Sequence, residues 1–182
     1  MTSENVVSPD YLLDPALYWR PLVRVRAPVV LAGWLADQGS LTRRLQRYGS
    51  FRVRPLRQQV CRPGAAEAAM LGLAPRSHAL VREVLLLVDA TPVVFARSVL
   101  PLTSIQGRNR VLGHMARRSL GAELFRAPRA RRVAVWAAEV PAARLPVPVP
   151  RPCWGRQSLF LKRGQPLLVA EVFLPTLERL TA

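Results

Sequence analysis

The sequence predicts an α+β domain whose sheet is antiparallel and built from hairpins. Two segments carry a hairpin pattern, in which an apolar run, a turn containing proline and a second apolar run follow one another. Segments with the caps and turn signals of short helices precede and separate these hairpins. Hairpin strands with helices placed between them favour an α+β fold over a doubly wound parallel sheet. The 182 residues suffice for one such domain.

The chain is expected to divide into an N-terminal arm, residues 1–27, and a single domain, residues 28–182. Within the arm, Tyr18, Trp19 and Leu22 are candidate anchors on the domain. The first residues include acids where a secretory signal has bases, and no apolar run approaches the 18 residues of a membrane span. We therefore expect a cytoplasmic protein without a transmembrane segment.

Signals for helix and strand alternate before the first hairpin. The apolar segment 27–36 predicts a helix, and Ser40 is a candidate N-cap for a second helix over residues 41–48. Residues 51–60 alternate in part between apolar and basic side chains, which is typical of a strand. Residues 61–77 contain Ala and Pro and predict a linker with a short helical turn at most.

The two hairpins are the clearest signal in the chain. The first is predicted over residues 80–100 and the second over residues 156–174. They align without a gap at an offset of 74 residues, which pairs Arg82 with Arg156, and seven of twenty positions are identical. This match predicts two equivalent hairpins in one antiparallel sheet. The alternative is that buried hairpins look alike because strands favour few residue types.

Between the hairpins the signals are shorter. Residues 109–117 predict a helix, and Ser119 is a candidate N-cap for another helix ending near residue 125. Residues 133–140 predict a strand. Residues 141–152 contain five prolines, which predicts an extended, polyproline-like connection at the surface.

The charge of the chain is strongly positive, with 27 Lys and Arg residues against 11 Asp and Glu and a formal net charge of +16. The bases are dispersed along the chain, and no RNP motif, zinc finger or basic heptad is present. Nucleic acid is therefore not expected as an obligate partner. A solvated basic face or an anionic small substrate fits the charge better.

Strand alternation singles out two charged residues. Arg82 is the only charged residue on its face of the first hairpin strand, and Glu171 is the only one on its face of the last strand. A lone charge on an apolar face is costly to bury without a partner, so the pair indicates either a structural ion pair or a pocket with a cation and a carboxylate at opposite ends. Glu83 and Arg97 lie in the same hairpin, and Arg97 could partner either acid.

Other catalytic signatures are missing from the sequence. His78 and His114 have no metal-ligand neighbours at standard spacing, so no metal site is predicted. Cys61 and Cys153 are too few for a disulfide framework and lack a catalytic histidine pattern. No nucleophile elbow, P-loop or GxGxxG motif is present. Chemistry without a cofactor, or simple ligand binding, is what remains.

Four stretches resemble the chorismate–pyruvate lyases, which make 4-hydroxybenzoate for ubiquinone biosynthesis. The order, spacing and turn prolines of these stretches agree with the family, and the similarity spans residues 28–177, although the proline-rich stretch is longer than usual. The matching stretches are SLTRRLQRYG (40–49), VREVLLLVDATPVVFARSVLP (81–101), SLGAELF (119–125) and WGRQSLFLKRGQPLLVAEVFLP (154–175).

The resemblance implies an antiparallel sheet with helical flaps that close over a secluded site. It implies that Arg82 binds the ring carboxylate and that Glu171 lies at the hydroxyl or ether end of the ligand. Leu41 and Leu120 are then the helix-entry residues whose backbone N–H groups bind the carboxylate, which agrees with the anion affinity of helix N-termini. Leu41 departs from the family pattern, in which methionine is common at this position.

The implied activity is the conversion of chorismate to 4-hydroxybenzoate and pyruvate by a monomer that needs no cofactor. Glu171 would act as a general acid toward the ether oxygen or as an orienting group, and retention of the product is expected. The main alternative is a non-catalytic binding module for an aromatic acid. Effector domains of some transcriptional regulators resemble the same fold, although residues 1–27 are too few for the winged-helix domain that precedes such effectors.

Overall fold

A computed structural model describes residues 18–180. Its described part contains a seven-stranded antiparallel sheet with short helices, which confirms the predicted α+β class. No helix in residues 18–180 is long and apolar enough to cross a membrane. The strands are β1 (Arg20–Pro21), β2 (Phe51–Cys61), β3 (Ala79–Val88), β4 (Thr91–Pro101), β5 (Arg131–Val140), β6 (Cys153–Lys162) and β7 (Gln165–Phe173). The α-helices are α1 (Val29–Leu35), α2 (Leu41–Leu45), α3 (Ala65–Met70), α4 (Leu120–Leu124) and α5 (Pro175–Glu178). Four 3₁₀ helices span Leu22–Arg24, Leu102–Ile105, Gly107–His114 and Ala142–Arg144.

The two predicted hairpins form the centre of the sheet. The strand order is β1-β5-β6-β7-β4-β3-β2, so the hairpins β3–β4 and β6–β7 lie side by side and join through β4 and β7. The short strand β1 pairs with Trp136 and Ala137 inside β5, and β2 forms the opposite edge. This arrangement confirms that the two similar segments are equivalent hairpins in one sheet.

A one-residue shift in the ladder distinguishes the first hairpin from the second. In the second hairpin, Arg156 lies opposite Glu171. In the first, the shift places Ser98 opposite Arg82, so Arg97 points to the other side of the sheet. Arg97 and Glu171 are equivalent in the sequence alignment but lie on opposite faces. The expectation that Arg97 could partner Glu171 is therefore wrong.

Helices α1, α2 and α4 cover one face of the sheet, which we call the site face. Helices α1 and α2 pack on its apolar side chains in a cluster that includes Trp34 and Phe173. Helix α4 and the 3₁₀ helix Gly107–His114 pack on a second cluster beside it, which includes Phe160. The two clusters place α2 and α4 next to each other above the central strands.

The opposite face, which we call the rear face, carries α3 and the proline-rich segment. Arg97 is buried there in an ionic cluster: its Nε lies 2.8 Å from a Glu67 oxygen, and its Nη1 lies 2.6 Å from a Glu83 oxygen. Burial alone would lower the pKa of Arg97, but the hydrogen bonds and charges of Glu67 and Glu83 raise it. Since Glu67 belongs to α3, this cluster fixes α3 to the sheet.

Several sequence expectations need correction. The helix predicted over residues 109–117 is the 3₁₀ helix Gly107–His114, in which glycine disfavours a regular α-helix. The proline-rich segment is not merely a surface connection, since Leu145 is buried and neighbouring valines pack on the rear face. Trp19 and Leu22 do pack on the domain, but Tyr18 is 76% exposed and is no anchor. Residues 1–17 of the predicted arm lie outside the described residues.

Candidate active site

The four predicted site residues line one enclosed cavity between the site face and the flaps α2 and α4. Arg82 and Glu171 contribute side chains from the sheet, and Leu41 and Leu120 belong to the flaps. The cavity holds about 30 Å³, which is space for a water molecule but not for an aromatic ring. The structure therefore shows the flaps closed, and an aromatic ligand needs them to move.

The sheet sets the distance between the two charged groups. Arg82 lies on β3 and Glu171 on β7, and β4 runs between them. Arg82 lies level with Ser98 and Glu171 with Ala96, so two strand spacings of about 9.6 Å combine with a stagger of about 6.8 Å to separate the two Cα atoms by roughly 12 Å. An aromatic acid can bridge the two groups once both side chains turn toward each other. Between them β4 presents only the small side chains of Ala96 and Ser98 to the cavity. The strands thus leave a slot with a cation at one end and a carboxylate at the other.

The cationic end of the slot is a buried guanidinium. Arg82 is 2% exposed, and its Nη2 donates hydrogen bonds of 2.8 and 2.9 Å to the carbonyls of Ala116 and Arg118. Its Nε is buried and meets no acceptor among residues 18–180. Burial lowers the pKa of Arg82, although the guanidinium stays charged at any physiological pH. A buried cation with an unused donor is suited to a carboxylate ligand.

The flap helices begin at the predicted positions. The Ser40 side chain accepts a hydrogen bond from the backbone of Arg43, and the Ser119 side chain accepts one from Ala122. Both serines are therefore N-caps, as the sequence predicts. Leu41 and Leu120 are the first residues of their helices, so their own N–H groups have no acceptor within the helix.

The two flaps touch through their side chains. Thr42 Oγ1 and Ser119 Oγ lie 2.5 Å apart. The helices pack so closely at this point that a Cβ on Gly121 would lie 2.9 Å from Thr42 Oγ1. This contact closes the mouth of the cavity.

An open groove of about 760 Å³ lies against the same contact. Thr42, Val53 and Ser119 line both the groove and the enclosed cavity, so the groove is a natural approach to the site. Its other walls include the arginines Arg52, Arg54, Arg117 and Arg118. Part of the large positive charge of the chain is thus concentrated where an anionic ligand would arrive.

The carboxylate end of the slot has a partner that the sequence analysis did not assign. The Oε2 of Glu171 accepts a 2.6 Å hydrogen bond from Nε of Arg156, which is fully buried. Sequence reasoning treated the structural ion pair and the ligand pocket as alternatives. In the structure Glu171 is ion-paired with Arg156 and not with Arg82, and it also lines the cavity opposite Arg82.

Arg156 connects this carboxylate to the end of α1. Its Nη1 donates to the carbonyls of Trp34 and Asp37, at 2.9 and 2.7 Å. Arg132 also donates to the Asp37 carbonyl, at 2.7 Å. Burial, and after it the nearby charge of Arg156, lowers the pKa of Arg132 to about 10. The segment between α1 and α2 is therefore held to the sheet by two arginines.

Comparison with known proteins assigns the family. Residues 13–180 match the model of the family described as chorismate lyase. The chain belongs to the chorismate lyase family. It is 53% identical over 167 residues to a probable chorismate pyruvate-lyase of Alcanivorax borkumensis, and the aligned part covers 91% of this chain and 79% of the relative. A protein of the same name from Thiobacillus denitrificans is 46% identical over 161 residues, covering 84% and 86% of the two chains.

Solved structures with the same fold include PhnF and a domain of a putative transcriptional regulator. PhnF from Mycobacterium smegmatis superposes with a TM-score of 0.57 and 16% identity, covering 78% of this chain and 66% of that one. The ligand-binding domain of a putative GntR-family regulator from Bordetella bronchiseptica gives 0.51 and 22% identity, covering 70% and 86%. At these identities the likeness concerns the fold alone. Membership of the chorismate lyase family rests on the family model and the closer sequence relatives.

Proposed function

We propose that the protein acts as a monomer and converts chorismate to 4-hydroxybenzoate and pyruvate. The observation that carries the proposal is the slot with Arg82 at one end and Glu171 at the other, in a chain of the chorismate lyase family. Chorismate carries a ring carboxylate, and a hydroxyl and an ether lie on the far side of its ring. These groups complement the two ends of the slot.

The reaction needs no electron acceptor or donor. The bond between ring C3 and the ether oxygen breaks, and the proton on C4 leaves, so the diene becomes an aromatic ring. The departing enolpyruvate takes up one proton and becomes pyruvate. Aromatisation supplies the driving force, so the protein has to hold the substrate in a reactive geometry and stabilise the charge that moves onto the ether oxygen.

Arg82 would bind the ring carboxylate. Its buried Nε is without an acceptor and would donate a charge-assisted hydrogen bond to the carboxylate, while Nη2 already donates to the carbonyls of Ala116 and Arg118. The N–H groups of Leu41 and Leu120 would add further donors from the flaps. Closure of the flaps would then be coupled to carboxylate binding, since both helices contribute to the same subsite.

Glu171 would accept a hydrogen bond from the hydroxyl on C4. A carboxyl group that receives a charged hydrogen bond from Arg156 at 2.6 Å is placed as an acceptor, whereas a general acid must carry a proton. We therefore assign Glu171 the orienting role rather than protonation of the ether. Because 4-hydroxybenzoate keeps both the carboxylate and the hydroxyl, it would keep both contacts, which favours slow product release. The product would then serve ubiquinone synthesis in the cytoplasm.

The test is to incubate the purified protein with chorismate, without added metal or cofactor, and to quantify both products by chromatography. Equimolar 4-hydroxybenzoate and pyruvate over many turnovers, well above spontaneous decay, is the expected result. One equivalent followed by a stall would identify tight product retention. No product from folded protein would overturn the proposal and leave the aromatic-acid binding module, which the regulator-like fold also suits.

A further inference from the structure

Arg156 is the most deeply buried charged group near the site, and it does not line the cavity. It has no exposed surface, whereas 13% of the Glu171 side chain is exposed. Glu171 is among the described residues that line the cavity, and Arg156 is not. Of the three residues to which Arg156 donates hydrogen bonds in the structure, Glu171 is the one that lines the cavity.

Three hydrogen bonds fix the orientation of the guanidinium. Nε donates to Glu171, and Nη1 donates to the carbonyls of Trp34 and Asp37. The pairing is direct across the sheet, since Arg156 and Glu171 are neighbours on β6 and β7. A guanidinium held in this way leaves Glu171 little freedom, because moving the carboxylate would leave a buried cation without its counter-charge.

The charge state of Glu171 decides which ligand atoms it can bind. A carboxylate is only an acceptor, so it attracts a hydroxyl hydrogen and repels an ether or carbonyl oxygen. A protonated carboxyl group could donate to such an oxygen instead. By holding the Glu171 carboxylate in one orientation through a 2.6 Å hydrogen bond, Arg156 would direct the remaining acceptor sites of that carboxylate toward donors on the ligand.

We propose that Arg156 is a positioning residue that makes the site selective for a ring bearing a hydroxyl opposite its carboxylate, by holding Glu171 as an oriented carboxylate. The inference rests on the proposed function insofar as it takes Arg82 to bind the ring carboxylate. It adds to that function the group that sets the preference for a hydroxyl. The competing interpretation is that Arg156 only clamps the end of α1 to the sheet.

The two interpretations differ in what they predict for ligands. A clamp supports the whole site, so its loss weakens the binding of 4-hydroxybenzoate and of benzoate by the same factor. A positioning residue acts only on the contact with the hydroxyl, so its loss weakens the binding of 4-hydroxybenzoate and leaves the binding of benzoate unchanged. The ratio of the two dissociation constants is thus the quantity to measure, by isothermal titration calorimetry with the full chain.

For Arg156→Met we expect the preference for 4-hydroxybenzoate over benzoate to fall by about tenfold or more, which is the range of a hydrogen bond to a charged group. Benzoate affinity should stay within about threefold of the unchanged protein, because benzoate has no hydroxyl to bind Glu171 and changes at groups without a shared partner usually act independently. Arg156→Lys keeps the charge and should restore part of the preference. The double variant with Glu171→Gln should behave like Glu171→Gln alone, because both changes remove the same interaction.

Arg132→Met is the matched control. Arg132 donates to the same Asp37 carbonyl and acts on Glu171 through its charge, without a hydrogen bond to it among those the structure shows, so its loss should change the ratio far less than Arg156→Met does. The proposal would be overturned if Arg156→Met weakened the binding of both ligands equally. It would also be overturned if the effects of Arg156→Met and Glu171→Gln on the ratio added up in the double variant. Arg156→Gln replaces Arg156→Met if the latter does not fold, as judged by circular dichroism. An unchanged ratio in Glu171→Gln also overturns the proposal without any change at Arg156.

Failure of this inference can be told apart from failure of the proposed function. A protein that shows the expected ratios but does not turn over chorismate would keep Arg156 as a selectivity determinant in a binding module. If the protein turns over chorismate but the variants leave the ratio of the two dissociation constants unchanged, the proposed lyase activity stands and the role of Arg156 is wrong.

Discussion

Thr42 Oγ1 and Ser119 Oγ lie 2.5 Å apart, and this hydrogen bond joins the flaps α2 and α4 at the mouth of the cavity. Ser119 also caps α4, so one hydroxyl serves both the helix and the contact between flaps. The cavity behind it is too small for an aromatic ring in the closed state. Opening therefore has to break this hydrogen bond or displace both helices together.

Replacing Thr42 by valine should speed release of 4-hydroxybenzoate. Valine keeps the shape of threonine but cannot hydrogen-bond to Ser119, so the closed state loses about 0.5–1.5 kcal/mol and the dissociation rate rises about two- to tenfold. Displacement of bound 4-hydroxybenzoate by an isotope-labelled excess measures that rate. Thr42→Ser keeps the hydroxyl and should retain the slow rate. Equal dissociation rates in all three proteins would show that the hydrogen bond does not govern opening.

Adding a methyl group at Gly121 should hinder closure. Its Cβ would lie 2.9 Å from Thr42 Oγ1, which is too close for a carbon and an oxygen that are not bonded. The distance to Ser119 Oγ, 3.6 Å, would be an ordinary contact. Overpacking of this kind costs about 1–3 kcal/mol, so 4-hydroxybenzoate affinity should fall about five- to 100-fold. Titration calorimetry of Gly121→Ala measures the loss. Thr42→Ala removes the crowded oxygen, so Gly121→Ala should cost less affinity in a Thr42→Ala protein than in the unchanged protein. An equal cost in both proteins would place the strain elsewhere.

Removing either end of the slot should reduce catalysis without unfolding the protein. Arg82→Ala and Glu171→Gln should each lower kcat/KM for chorismate by about tenfold or more, the range for a positioned hydrogen bond to charge. Arg82→Ala should abolish the advantage of benzoate over phenol as a ligand, since phenol has no carboxylate. Thermal unfolding serves as the control for structure. Unchanged turnover in either folded variant would remove that residue from the site.

The positions of Arg82 and Glu171 were predictable because alternation along a strand assigns each side chain to a face. The pair Arg156–Glu171 was also within reach. The tight turn pairs Lys162 with Gln165, and counting back from it in register places Arg156 opposite Glu171. The sequence analysis did not make this count, and so it treated Glu171 as a lone charge.

The face of Arg97 was beyond sequence reasoning. Alternation sorts the side chains within each strand, but β3 is buried throughout and β4 nearly so, and their apolar runs therefore do not show the register of one strand against the other. The one-residue shift between β3 and β4 therefore leaves no mark in the apolar run. The flap contact was hidden for a different reason, because Thr42 and Ser119 are 77 residues apart and meet only through tertiary packing.

Removing the shared cation of the rear-face cluster should destabilise the fold. Arg97 is the cation that both Glu67 and Glu83 contact, and all three side chains are buried. Loss of one partner from a buried ionic cluster costs about 3–5 kcal/mol, so Arg97→Met should lower the midpoint of chemical unfolding markedly. Replacing the cluster by apolar residues, with Glu67→Leu and Glu83→Leu added, should recover most of the loss. A stable single variant would mean that the carboxylates find water or other cations.

The two cysteines should differ in reactivity. Burial raises the pKa of the Cys153 thiol to about 11, and the side chain is only 3% exposed, so almost no thiolate is present at pH 8. Cys61 lies half-buried at the end of the edge strand β2. With Ellman's reagent at pH 8 we expect one thiol to react first and the second only after denaturation, and Cys153→Ser should remove the slow phase alone. Reaction of both thiols at one rate in the native protein would contradict the burial of Cys153 against the proline-rich segment.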